Sequence, residues 1–242
     1  MDERTALGGS VAAIIPARGG SKSIPKKNLV NFGGQPLISY VIKAAKCCDK
    51  INRIICSTDS EEIASLCRRY GIEIAEREST LASDTAKITE VLHDLVEGYL
   101  SKQHPVPEIL VLMQPTSPFV AQEHLAKCIL KLREDPSLNS VQTVVRVPHN
   151  QHAFNQRFVE DNKIKFKFPE ERRIGYNKQN KPTLFQFGNL VAFRTTIIRQ
   201  GGEVFSEPSG FVEIERNYSF DLDGPEDIRW GEYCLQHQLV TL

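Results

Sequence analysis

Two stretches of this chain concentrate groups that could do chemistry. FDLDGPED carries Asp221 and Asp223, and ARGGSKSIPKKN carries Arg18, Lys22, Lys26 and Lys27. Side chains two apart in an extended strand share a face, so Asp221 and Asp223 would project together while Phe220 and Leu222 point the other way. Converging carboxylates at a strand end suit one hard cation such as Mg²⁺, which shares its remaining positions with water and phosphate oxygens. A second reading makes Asp223 the cap of a helix opened by Pro225, and such a cap gives Asp221 nothing to do.

In the basic stretch, Gly19 and Gly20 let the backbone come close to a ligand. Successive amides there can form a concavity for an anion, with Arg18, Lys22, Lys26 and Lys27 supplying charge that matches a triphosphate. A plain solvated basic loop is the alternative. Neither GxGxxG nor GxxxxGK[ST] occurs in it, which argues against a dinucleotide site and a P-loop. A third stretch, LMQPTSPF, is stiffened by Pro115 and Pro118 and offers Gln114, Thr116 and Ser117 as neutral hydrogen-bonding groups. These suit a polyhydroxylated ligand, or form no more than a rigid turn.

Such groups act only if strands and helices bring them together. Apolar runs of strand length (11–15, 53–57, 72–75, 108–113 and 140–147) alternate with amphipathic stretches at 36–48, 60–71, 85–100 and 121–135. That is the pattern of a βαβ-type α/β fold with a mostly parallel sheet flanked by helices. Ligands then sit beyond the carboxyl ends of the strands, where both ARGGSKSIPKKN and LMQPTSPF fall. From 148 to 182 the rhythm breaks into a polar, basic segment with an alternating KIKFKF, read as an inserted exposed strand or hairpin. The α/β pattern resumes with strands at 187–193 and 219–223 and a closing helix from Pro225.

The chain has 242 residues, with 30 basic side chains balancing 30 acidic ones, so no global field favours nucleic acid or an anionic membrane. The positive charge is local, which points to a small anion. Six cysteines without CxxC spacing or a histidine cluster read as free thiols in a reducing compartment. The first ten residues hold no apolar run of signal-peptide length and no later run reaches membrane-spanning length, so a cytoplasmic protein is expected. His93 and His124 read as helix positions exposed to solvent, Cys56 as a small buried residue, and Trp230 as packing the last helix.

Taken in order, IPARGGSKSIPKKN, STDSEEIA, LASDTA, LMQPTSP and FDLDGPEDI resemble the cytidylyltransferases that activate nonulosonic acids, the CMP-N-acylneuraminate (CMP-sialic acid) synthetases and their relatives, from about residue 11 to residue 237. The resemblance implies a Rossmann-like nucleotidyltransferase fold over residues 1–242, in which CTP and a nine-carbon 2-keto sugar acid give a CMP-sugar and pyrophosphate. It places Arg18, Gly19, Gly20, Ser21, Lys22, Lys27, Asn28, Ser83 and Asp84 around the nucleotide, Gln114, Thr116, Ser117 and Gln179 on the sugar, and Mg²⁺ on Asp221 and Asp223. Arg18 and Lys22 would steady the phosphates while Asp223 or a water takes the proton of the attacking hydroxyl. It also implies a homodimer or a dimer of dimers, with the segment at about 148–182 as the dimerisation element.

Three positions depart from the family pattern. Asn177 replaces a usual arginine, Phe185 a usual tyrosine, and Gly188–Asn189 inverts a usual Asn-Gly step. Because these lie on the acceptor side, legionaminate, another nonulosonate or a related keto sugar acid is open as the substrate. So are a catalytically silent CTP-binding or regulatory homologue and a 3-deoxy-manno-octulosonate cytidylyltransferase.

Overall fold

Seven strands form one sheet in the computed structural model, which describes residues 9–83 and 85–242. The strands in chain order are β1 (Val11–Pro16), β2 (Asn31–Phe32), β3 (Gln35–Pro36), β4 (Arg53–Thr58), β5 (Glu73–Glu76), β6 (Ile109–Met113), β7 (Ser140–Arg146), β8 (Arg157–Glu160), β9 (Lys163–Phe166), β10 (Phe185–Arg194) and β11 (Ser209–Glu213). The helices are α1 (Ile38–Cys47), α2 (Glu61–Arg69), α3 (Ile88–Ser101), α4 (Gln122–Glu134), α5 (Pro169–Ile174), α6 (Thr195–Arg199) and α7 (Pro225–Gln236).

The main sheet runs β11-β7-β10-β6-β1-β4-β5. Only β10 is antiparallel to its neighbours, so the expected mostly parallel sheet is present. Its centre is apolar on both faces because helices cover both. Val11, Ala13 and Ile15 pack with α1, α2 and α4, while Ala12 and Ile14 pack with α3 and α6. Helix α2 starts where its sequence says it should, with Ser60 Oγ accepting from the Ile63 amide, and it stops at Gly71, whose φ of +67° only glycine adopts readily.

A third cluster matters most for function. Ile24, Phe32, Leu37, Tyr40, Phe119, Leu222 and Cys234 bury one another, drawing the basic loop, the end of the LMQPTSPF turn, the FDLD segment and α7 onto one core. Burying Leu222 alone contributes about 1.5–3 kcal/mol to holding that segment in place. The rings of Phe119 and Phe220 stack 5.0 Å apart in the same cluster.

Residues 219–223 differ from expectation. They form no strand: Ser219 ends a 3₁₀ turn at Arg216–Ser219, and residues 220–223 follow it as extended chain. The alternation is nevertheless that of a strand, with Leu222 buried and Asp221 and Asp223 outward, because one backbone bond from the Leu222 amide to Thr116 O (2.8 Å) replaces a ladder. The inserted KIKFKF does form an exposed hairpin, β8–β9, turned by Asp161 and Asn162 at positive φ. Two further readings are corrected. His124 is buried at 8% exposure, whereas Trp230 is 53% exposed and stacks on Tyr233. Cys56 is buried as expected, and the six thiols are unpaired.

Candidate active site

The carboxyl ends of β6, β1, β4 and β5 all open on one side, as parallel strands must, and four loops meet there. The β1 exit is shaped internally: Asn28 Nδ2 donates to Arg18 O (2.9 Å), and the Gly19 amide donates to Asp59 Oδ1 (2.8 Å) at the β4 exit. A Cβ on Gly19 would come within 2.9 Å of Ser60 Cβ, so the absence of a side chain permits this approach.

The decisive contact joins the two ends of the sequence. Lys27 Nζ donates to the carbonyl oxygens of Leu222 and Asp223, both at 3.0 Å. The LMQPTSPF turn closes the third side, with Ser117 Oγ donating to Asp221 Oδ1 at 3.3 Å. Arg18, Gly20, Ser21, Lys27, Asn28, Arg77, Gln114 and Thr116 together line a cleft of about 220 Å³.

Electrostatics mark Asp221. Burial raises its carboxyl above the ordinary range, the charge of Asp223 adds to this, and hydrogen bonds from Thr116 and Ser117 with the Lys27 ammonium oppose it. Helix α7 is not capped by Asp223. Its N-cap is Gly224, and Asp227 Oδ2 accepts from the amides of Asp223 and Gly224 at 2.9 and 2.8 Å. The cap reading therefore fails for Asp223. Asp221 and Asp223 bring two oxygen donors of the type a hard divalent cation takes, with no group of three or more His, Cys, Asp or Glu side chains placed to hold a metal among the described residues.

Other expected residues stand apart. Lys22 is exposed and Ser83 Oγ lies 3.3 Å from Thr85 Oγ1; neither lines the cleft, and Gln179 is exposed in the inserted segment. Asp84 lies outside the described residues. Lys27 and Ser117 reach the site, but their polar groups contact Leu222, Asp223 and Asp221.

Arg77 is a cleft residue the sequence did not disclose. Its guanidinium donates to Ser57 Oγ (3.2 Å) and Ser57 O (2.8 Å), and burial lowers its pKa, opposed by Asp59 and assisted by the like charge of Arg18. No motif marked it. Only its place just past β5, on the side where β1 exits, could have. A larger cleft of about 470 Å³ lies between β5 and α3, but Glu73, Glu76 and Asp94 line it, which disfavours a polyphosphate.

The family model described as cytidylyltransferase matches residues 12–212. Pseudaminic acid cytidylyltransferase of Campylobacter jejuni is 27% identical over 231 residues, 93% of this chain and 97% of that protein. N-acylneuraminate cytidylyltransferase A of Danio rerio is 29% identical over 227 residues, 91% of this chain, and the match spans 49% of that longer relative. CMP-N,N'-diacetyllegionaminic acid synthase of Legionella pneumophila is 37% identical over 123 residues, 49% of this chain and 51% of that protein. The solved structure of CMP:2-keto-3-deoxy-manno-octonic acid synthetase complexed with CTP superposes with a TM-score of 0.72 at 15% identity, covering 95% of this chain and 99% of the other, a likeness of fold. With a seven-stranded α/β sheet, a basic glycine loop at the β1 exit and a family match over most of its length, this chain belongs to the cytidylyltransferase family.

Proposed function

We propose that the protein activates a nonulosonic acid with CTP, giving the CMP-sugar and pyrophosphate. The observation that carries this is the Lys27 contact, which ties the backbone of the acid-bearing segment to the basic loop whose residues line the cleft. The activities for which the Campylobacter, zebrafish and Legionella relatives are named support the acceptor class.

Transfer requires the anomeric hydroxyl to approach the α-phosphorus in line while charge on the phosphoryl oxygens is neutralised. The amides and side chains from Arg18 to Asn28 would bind the triphosphate, with Arg18 and Arg77 as the cations beside it. Gln114 and Thr116 face the same cleft from the β6 exit and would orient the sugar. Asp221 and Asp223 would hold a divalent cation, which when bound offsets phosphate charge and lowers the pKa of the attacking hydroxyl. Among this chain's groups, Asp223 is the acceptor we assign to the hydroxyl proton.

We further propose that the inserted segment joins two copies of the chain. Val159 and Ile164 on the hairpin are each 70% exposed, and Ile174 and Tyr176 follow in the same insertion with similar exposure. An apolar set of this kind is costly to leave in water. A cytoplasmic location agrees with the unpaired cysteines, and no helix among the described residues is long and apolar enough to cross a membrane.

Pyrophosphate release with a panel of nonulosonic acids, run with CTP, UTP and ATP, tests the activity. Release with CTP and one of these acids is expected. Thermal protection by CTP without release would assign the protein to the silent homologues instead, and release with only an eight-carbon keto acid would move it to the octulosonate enzymes.

A further inference from the structure

Asn189 sits at the irregular step of β10, where pairing to β7 shifts between Phe187 and Val191, and it is 1% exposed. A buried primary amide brings two donors and an acceptor that must all be satisfied. The acceptor Oδ1 takes the hydroxyl of Thr143 at 2.9 Å, and that same oxygen of Thr143 accepts from the Asn189 amide at 2.9 Å. With Oδ1 fixed, Nδ2 donates to two carbonyls, Phe119 O at 2.7 Å and Tyr218 O at 3.3 Å.

Those two carbonyls belong to two different segments that border the site. Phe119 closes the loop that begins at Gln114, and Tyr218 leads directly into Asp221 and Asp223. A hydrocarbon side chain of similar size would fill the space and leave both carbonyls without this donor. Lys27 and the Leu222–Thr116 backbone bond fasten the acid segment at the cleft, and Asn189 fastens it from the core.

We infer that Asn189 is a positioning residue for the transfer reaction, holding the Gln114–Phe119 loop and the Tyr218–Asp223 segment at one separation so that Thr116 and Asp221 face the same substrate. The inference rests on the cytidylyltransferase reading above. Asn189 touches no residue assigned to the nucleotide, so its loss acts on turnover and spares CTP binding.

Two variants test this. Asn189→Asp keeps the size and turns a donor into a carboxylate oxygen facing two carbonyls; Thr143→Val keeps Asn189 and removes the hydroxyl that orients it. Hydrogen exchange is read at the Leu222 amide, which bonds Thr116 O, and at Val111 in the central strand. kcat and the KM for CTP are measured alongside at 10 °C. Exchange at Leu222 is expected to accelerate about tenfold relative to Val111. A fall in kcat of about 10- to 100-fold, with KM for CTP within about threefold, is expected alongside.

Equal acceleration at both amides with wild-type kcat would overturn the inference, because it describes a residue that only stabilises the fold. Should Asn189→Asp fail to fold, Thr143→Val decides: wild-type kcat and wild-type exchange at Leu222 would overturn it. If the wild-type protein releases no pyrophosphate with any acceptor while Leu222 still loosens selectively, the cytidylyltransferase reading falls and the tie between the two segments stands.

Discussion

The ammonium of Lys27 lies 3.0 Å from the backbone carbonyl of Asp223, although 196 positions separate the two residues in the chain. A lysine that donates to two carbonyls of one segment fixes that segment and leaves its carboxylates pointing outward. The same contact brings positive charge next to Asp221, where it opposes the rise that burial imposes.

Lys27→Met removes the ammonium and keeps the aliphatic stem. Turnover should fall by about 100-fold, because a shift of the acid segment of the order of an ångström misplaces the reacting groups. Steady-state kinetics settle this, and a variant with wild-type kcat would show that the contact is incidental.

Asp221→Asn separates stability from function. A carboxyl whose folded pKa is raised above its unfolded value binds protons more tightly when folded, so it costs stability once pH rises above the unfolded value near 3.8. Without metal, at pH 7, the variant should therefore melt above the wild type, while its turnover is lost. Calorimetry of the metal-free proteins reads the first effect. A lower melting temperature for Asp221→Asn would contradict the account.

His124 gives the opposite pH dependence. Burial holds its pKa down at about 4 against an ordinary 6.5; its Nδ1 accepts from the Ala121 amide at 3.4 Å, and its ring meets Tyr218 edge-on. A group with a depressed folded pKa binds the proton more readily when unfolded, so its stabilising contribution is complete above pH 6.5 and is lost as pH falls toward 4. Denaturant midpoints measured across that window should drop for the wild type and drop less for His124→Gln. Parallel profiles would contradict the assignment.

Gly188 is held to hydrogen by space. A Cβ there would approach Thr143 Oγ1 at 2.7 Å and Ile214 Cδ1 at 2.9 Å, and Thr143 is committed to Asn189. Gly188→Ala should destabilise the protein by about 1–3 kcal/mol, as overpacking a close-fitted interior does. Urea unfolding measures it, and an unchanged midpoint would show that the strand gives way freely.

The alternation of FDLD was legible in the sequence, and so was the sharing of one face by Asp221 and Asp223. Their pairing was not, since extended backbone reads alike whether it bonds a strand or a single carbonyl such as Thr116 O. The parallel centre of the sheet was visible in runs like ILVLM, which are apolar on both faces, whereas the reversed direction of β10 leaves no mark on composition. SGFVE, the edge strand β11, lacks the apolar density that flags a strand. Arg77 was missed and Asn189 was seen only as half of an inverted Asn-Gly step, because a lone arginine after a strand and an asparagine within one gain meaning only from neighbours far away in the chain. His124 looked like a surface residue because its helix is polar overall, whereas the ring of Tyr218, 94 positions away, meets it edge-on and Asn189, 65 positions away, reaches its Nδ1.

Crystals grown with CTP and Mn²⁺ test the central claim most directly, through the anomalous signal of the metal. The account predicts the ion on the carboxylates of Asp221 and Asp223, with the triphosphate along Arg18–Asn28. A triphosphate bound in the larger cleft beside Glu73 and Asp94, with the ion away from both aspartates, would contradict it.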